Sequence, residues 1–206
     1  MSSRSSYRWS EPAERNQNPI LAHLCRILPP SRQWKVLEIG SGTGQHAVHF
    51  ATHLPHVEWL ASDLIENHQT LNAYFDAAAC ANVRRPVELD AESLALFDES
   101  VDVIYTANTC HIMSWEQAQA MIRNAGRVLG PTGRLIIYGP FNVGGEATSD
   151  GNYRFDQMLS QTNPWQGIRN REDVIWQAER AGFSLTHRYD MPANNQLLVL
   201  ERRKDR

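Results

Sequence analysis

Lysine is almost missing from this 206-residue sequence, cysteine is scarce, and no long apolar run occurs. The three cysteines, Cys25, Cys80 and Cys110, are odd in number, widely spaced and never in a Cys-x-x-Cys pair. That argues against a disulfide framework or a zinc knuckle and points to a reducing, cytoplasmic setting. No stretch approaches the roughly 20 apolar residues of a membrane helix, and Met1 to Ser10 is polar, so neither a membrane anchor nor an export signal is expected. Net charge is −3, and basic residues are dispersed apart from the tail Glu201-Arg202-Arg203-Lys204-Asp205-Arg206. Nucleic-acid binders concentrate their charge on one face, so a small-molecule partner is favoured over a polynucleotide. Nothing in the sequence indicates an oligomeric state. With 42% hydrophobic and 21% charged residues, one globular domain over 1–206 is expected.

What is present is a repeated alternation of short β-rich apolar runs with longer segments of helical period, the signature of an α/β fold with a parallel sheet and crossover helices. Strands are predicted at 35–39, 58–62, 86–89, 101–106 and 134–138, with helices at 19–28, 45–54, 67–81 and 115–129. Residues 139–170 are rich in Gly, Pro, Asn and Ser and show little period, which suggests a functional insertion. A helix at 172–181 and strands at 183–190 and 196–201 follow. The 191–195 connection is short enough only for an antiparallel pair.

The strand at 35–39 runs into Gly40-Ser41-Gly42-Thr43-Gly44, which opens a helix. Glycines there permit positive φ and let a ligand approach bare backbone, while the free N–H groups of the first helical turn attract an electronegative group. The arrangement is that of a nucleoside-cofactor site; a ligand-free tight turn is the bland alternative. A dinucleotide fingerprint needs a third glycine where Gln45 stands. A phosphate loop needs Gly-Lys-Ser/Thr, and no lysine lies between Lys35 and Lys204. Nineteen residues past Gly44, Asp63 ends the second strand, where a carboxylate can accept both ribose hydroxyls of an adenosine cofactor, or cap the next helix. Asp90-Ala91 follows the third strand, where an acid could accept a hydrogen bond from the adenine amine; a surface loop acid reads the same. Glu38 is the odd carboxylate in an apolar strand and must find partners if buried. It could orient the turn, complement a cofactor ammonium through water, or only pin loop N–H groups.

Val36 to Gly44 together with Asp63 resembles motifs I and II of the class I S-adenosylmethionine-dependent methyltransferases. A wider likeness is carried by Ala13-Glu14-Arg15-Asn16, Gly42-Thr43-Gly44-Gln45-His46-Ala47-Val48-His49-Phe50-Ala51, Tyr138-Gly139-Pro140-Phe141, Trp165-Gln166-Gly167-Ile168-Arg169 and Pro192-Ala193-Asn194-Asn195. These runs are similar to the methyltransferase-like 26 family, also called DUF938 or UPF0585. The resemblance implies a Rossmann-like seven-stranded fold, five parallel strands plus an antiparallel C-terminal pair, with S-adenosylmethionine as cofactor and S-adenosylhomocysteine as product. Asn108-Thr109-Cys110-His111-Ile112 departs from it in having polar Thr109 and Cys110.

In such a fold the ends of the fourth and fifth strands face the transferred methyl, which brings in Asn108, His111 and Tyr138. His111 is the general-base candidate and Asn108 a holder of the cofactor's methionine end; a loop histidine that only shapes the pocket is the alternative. His46, His49 and His53 share a helix face, but without an acidic or cysteine partner they suggest packing rather than a metal site. Trp115, Trp165 and Trp176 read as core or lid contacts. A lid is expected from 1–30, from the insertion at 139–170 and from the 192–195 corner, with Asn18, Asn194 and Asn195 offering amides and Arg15 or Arg169 pairing with an anionic acceptor. Two other readings stand beside a methyltransferase: a cofactor-binding protein without turnover, and a nicotinamide-dependent oxidoreductase.

Overall fold

The computed structural model describes residues 8–203, so the basic tail beyond Arg203 and the polar start before Arg8 lie outside the described residues. Seven strands form a mixed sheet in the order β3-β2-β1-β4-β5-β7-β6, and the chain divides into two compact units that meet in sequence between Asp90 and Ala91.

In the first unit, α1 (Glu11–Ile27) starts at Ser10, whose hydroxyl accepts from Ala13 N, with Pro12 and two acids in the first turn. The predicted start at Pro19 is therefore too late. Pro19 lies inside the helix, and the Ser-Glu-Pro signal nine residues earlier is the operative cap. Asn16, Ile20, Leu24 and Ile27 form its buried stripe. β1 (Trp34–Ile39) pairs in parallel with β2 (Val57–Asp63) from Trp34↔Val57 to Ile39↔Ser62. α2 (Gln45–His53) and α3 (His68–Ala78) follow β1 and β2. β3 (Val83–Glu88) is an edge strand with no fully buried residue, and the pair Arg84-Arg85 hides its first half from an apolar pattern.

In the second unit, β4 (Val103–Ala107) and β5 (Arg134–Pro140) are parallel, joined through α4 (Trp115–Val128) with its Ser114/Gln117 capping box. β6 (Phe183–Met191) and β7 (Asn195–Arg202) are the expected antiparallel pair, and β7 also lies antiparallel to β5. β6 consequently runs with β5, and the 192–195 corner emerges at the carboxyl end of β5, where Pro140 pairs with Asn195. Residues 139–170 are not structureless: α5 (Asp150–Thr162) occupies the middle, capped by Ser149, whose hydroxyl accepts from Asn152 N. Only Asn152 and Leu159 of this helix are buried, so its apolar period is too faint to read. α6 (Arg171–Arg180) precedes β6.

Gly126 in the interior of α4 has no room for a side chain: an added Cβ would lie 2.4 Å from the Ala181 carbonyl oxygen. Alanine in an exposed helix interior normally stabilises by about 1 kcal/mol over glycine. Gly126→Ala should instead destabilise by about 1–3 kcal/mol, because α4 and the end of α6 must separate. Urea unfolding of the two proteins measures the sign, and a gain in stability would show that these helices do not meet at Gly126.

Candidate functional site

The turn after β1 is built on three left-handed glycines, Gly40 (φ 71°), Gly42 (φ 58°) and Gly44 (φ 78°). Two of them lack a side chain for different reasons. A Cβ on Gly44 would lie 2.7 Å from the Phe75 ring and 3.1 Å from Leu71, so Gly44 lets α3 pack on the turn. A Cβ on Gly42 would meet nothing within 4 Å, so its bare backbone borders open space where a ligand can approach.

Asp63 holds that backbone in place. Its Oδ2 accepts from Gly42 N at 2.6 Å, and its Oδ1 accepts from Leu64 N at 2.8 Å and Asn67 Nδ2 at 2.7 Å. A carboxylate offers about four acceptor positions, and three are used. A vicinal diol at Asp63 would take the fourth and either share or displace the Gly42 bond. Glu38 lies underneath and is buried: its Oε2 accepts from Ser41 Oγ and from Trp59 Nε1, each at 3.0 Å. Its partners are thus two side chains and no N–H of the loop. Burial pushes the Glu38 carboxyl up to about 7, against the pull of the Trp59 and Ser41 hydrogen bonds. Ser41 is also held by Ser62, its main-chain N donating to Ser62 O at 2.9 Å and its Oγ accepting from Ser62 N at 3.2 Å. Thr43 Oγ1 donates to Gln45 Oε1 at 2.8 Å. After β3, Asp90 is exposed and Ala91 buried.

Gln45, which the sequence offers only as a missing third glycine, is a structural residue, and His46 packs as expected. Gln45 is buried, accepts from Ser10 N at 2.6 Å and donates to Ser10 O at 3.2 Å. His46 Nε2 is 2.6 Å from Asn16 Oδ1, and burial, followed by His49, lowers its pKa to about 3. These two side chains fasten the beginning of α1 to the helix that follows the glycine turn. Arg15 and Asn18 are on the exposed side of α1, with Arg15 Nη1 3.5 Å from Glu11 Oε2. The His49 and His53 rings lie 4.5 Å apart between centroids and are tilted by 42°. Among the described residues no group of three His, Cys, Asp or Glu side chains could hold a metal.

In the second unit two of the candidate residues lie beside Gly139. A Cβ there would lie 3.8 Å from His111 Nδ1 and 4.0 Å from Asn108 Oδ1. Asn108 is itself left-handed (φ 58°), its N donating to Tyr138 O at 2.9 Å; asparagine tolerates this conformation better than most residues. The Tyr138 side chain is buried in the core, so it is the main chain of this residue that reaches Asn108. His111 is buried against the edge of Phe155, with ring centroids 5.2 Å apart. Desolvation, with the Arg169 charge adding to it, lowers its pKa to about 4, so the imidazole is neutral at physiological pH. Arg169 is half-buried. Its guanidinium donates to the carbonyls of Cys110, Met113 and Trp165 at 3.0, 2.5 and 2.8 Å, while Gly167 N donates to His111 O at 3.0 Å. Arg169 thereby ties segment 165–169 to the loop carrying His111. Cys110 and Thr109 fit that loop without exposing polarity: burial pushes the Cys110 thiol up to about 11, and Thr109 shares a hydroxyl hydrogen bond with Thr106. Asn194 and Asn195 line a cavity at the β6–β7 corner.

Two outcomes follow from these environments. Replacing Arg169 with Gln should raise the His111 pKa from about 4 yet leave it below 6.5, because desolvation is the larger cause. An imidazole NMR titration reads this, and an unchanged value would remove Arg169 from the surroundings of His111. His46 and His111 are held neutral where an unfolded imidazole protonates, so they withdraw stability as pH falls below 6.5. Glu38 acts oppositely. Its folded pKa of about 7 exceeds the ordinary 4.5, so stability rises on acidification across that window. Glu38→Gln should therefore steepen the acid loss of stability between about pH 7 and 4.5, checked by urea midpoints across that range.

The fold is that of the methyltransferases. An O-methyltransferase family protein from Burkholderia thailandensis superposes with a TM-score of 0.81 at 15% identity, covering 94% of this chain and 58% of the other. The structure described as PigF with SAH gives 0.77 at 18% identity, covering 92% and 56%, and an O-methyltransferase family 2 protein from Planctomyces limnophilus, in complex with apigenin, 0.77 at 13%, covering 93% and 60%. In sequence, 131 residues are 35% identical to a malonyl-[acyl-carrier protein] O-methyltransferase from Methylococcus capsulatus, 63% of this chain and 43% of that protein. The chain thus spans less than half of that curated relative and a little over half of the structural neighbours. Residues 7–202 match the family described as Protein of unknown function (DUF938), and the chain belongs to that family.

Proposed function

We propose that this protein transfers a methyl group from S-adenosylmethionine to a small polar acceptor. The observation that carries this reading is the bare Gly42 backbone bordering open space and held by Asp63, a carboxylate that retains an acceptor position for a ribose diol. The residues present fit the cofactor: Gly40, Ser41, Gly42, Thr43 and Gly44 would form its cradle, with Glu38 bracing them from below through Ser41. Asp63 would take the ribose, Asp90 and Ala91 the adenine, and Asn108 the methionine end. Bound there, the cofactor supplies an activated methyl on a sulfonium, so the protein must chiefly position the acceptor and accept its proton where it has one.

His111 suits the second task, because a neutral imidazole close to Gly139 has a free lone pair to offer. Its lowered pKa makes it a weak base, so it serves acidic hydroxyls, or acceptors already ionised, better than alcohols. Three of the proteins compared are named O-methyltransferases, which supports oxygen as the acceptor atom. A nicotinamide cofactor is disfavoured by Gln45, which fills the position of the third glycine and is committed to Ser10.

Calorimetry tests the reading. S-adenosylhomocysteine should bind and NAD should not, and Asp63→Ala should weaken binding by about 1.5–3 kcal/mol, the size of hydrogen bonds lost to a charged group. Asp63→Asn, which keeps an acceptor for Gly42, guards against a collapsed turn. Binding of NAD in preference, or undiminished binding in a folded Asp63→Ala variant, would refute it. Labelled methyl transfer to a metabolite extract separates an enzyme from a cofactor-binding protein without turnover.

A further inference from the structure

A cavity of about 440 Å³ opens at the β6–β7 corner, within the size range of small-molecule sites. Its polar wall consists of Arg171, Arg188, Asp190, Asn194, Asn195 and Gln196, and Val143 and Met191 supply an apolar side. Gln196 is 5% exposed. Its Oε1 accepts from Arg171 Nη1 at a long 3.4 Å, and its Nε2 has no partner among the described residues. That amide donor borders the cavity and stays available to an acceptor. The Arg171 side chain is 17% exposed and spends Nη2 on neighbouring Glu172, at 2.9 Å. Arg188 is only loosely engaged, 3.6 Å from an exposed Asp190. Donors therefore outnumber acceptors on this wall.

The corner is built at a conformational cost. Ala193 and Asn194 are consecutive left-handed residues (φ 58° and 55°), a conformation that alanine disfavours. Asn152 holds the turn, its Nδ2 donating to Asn194 O at 3.2 Å and to Thr148 Oγ1 at 2.9 Å. Strain retained by surrounding bonds accompanies functional positions. Sheet register relates one lining residue of the cavity to the candidate reactive residues. Gln196 is directly opposite Gly139 in the β5–β7 ladder, and opposed residues of an antiparallel pair project from the same face. On that face the missing Gly139 side chain leaves His111 Nδ1 and Asn108 Oδ1 within 4.0 Å of where its Cβ would stand.

We propose that this cavity binds a small molecule with an apolar body and a single carboxylate, the carboxylate being received by Arg171 and the free amide of Gln196. A carboxylate fits the donor excess, and one negative charge suits a wall on which Asp190 and Glu172 already offset two arginines better than a dianionic phosphate would. That the occupant is the methyl acceptor rests on the methyl-transfer reading; its binding does not. Anion recognition is thereby assigned to Arg171 rather than to the exposed Arg15 or to Arg169, which already donates to three carbonyls.

The test is a titration of the full-length protein, followed by NMR of the arginine Nε–H and glutamine side-chain amide signals. The probes are benzoate and hexanoate, with benzamide and hexanamide as uncharged counterparts. At least one carboxylate should shift the Arg171 and Gln196 signals saturably, and its amide should bind at least about tenfold more weakly. Arg171→Gln should lose the carboxylate by a similar factor. Gln196→Glu, which keeps the shape but adds a negative charge, should lose it too, so the proposal stays testable if either variant fails to fold. Silent signals with both carboxylates, equal binding of acid and amide, or undiminished binding in the folded variants would overturn it. S-adenosylhomocysteine affinity, measured in parallel, should be unchanged in the variants. Its absence in the wild type would refute the methyl-transfer reading while leaving the carboxylate result to decide the cavity.

Discussion

The hydrogen bond from Gly42 N–H to Asp63 joins the glycine turn to the end of β2, and the candidate cofactor site depends on it. Three left-handed glycines give the loop freedom that folding must remove. The Asp63 carboxylate removes part of it from above and the Glu38 carboxylate, through Ser41, part from below. Glu38 is tolerated in an apolar strand because Trp59 and Ser41 donate to it, and its raised pKa records the desolvation that remains. The two acids thus serve different ends: one is buried and braces the turn through Ser41, and the other holds the bare Gly42 backbone where a ligand can approach.

The second unit uses the opposite device, a missing side chain. Gly139 adopts no special backbone conformation; its value is the space it leaves beside Asn108, His111 and Gln196. Around that space the chain is fastened by main-chain carbonyls gathered on one guanidinium, Arg169, and by the pairing of Gly167 with His111. The result is a neutral, desolvated imidazole on a loop whose geometry is set by residues more than fifty positions away in sequence.

Much of this was legible in the residues. Six of the seven strands and the helices after β1, β2 and β4 lie within two residues of their predicted positions at nearly every end, because buried parallel strands and amphipathic helices write their periods plainly. β3 was displaced because an edge strand with two arginines lacks an apolar run. α5 was invisible because a helix with two buried residues leaves almost no periodic trace. α1 was shortened because a proline within a helix resembles a proline that starts one.

By itself the sequence determined the α/β order, the left-handed glycine turn and the acid after β2, since each depends on local backbone sterics or on residues close along the chain. It could not distinguish among its arginines and amides. Arg15, Arg169 and Arg171 have the same chemistry in a string of letters. Only tertiary contacts show that the first is on an exposed helix face, the second is spent on three carbonyls and the third borders a cavity. Likewise Gln45 reads as a missing glycine until Ser10 is found bonded to it, thirty-five residues away. A side chain's function depends on which of its donors and acceptors remain unmet, and that is decided by partners brought together from distant parts of the chain.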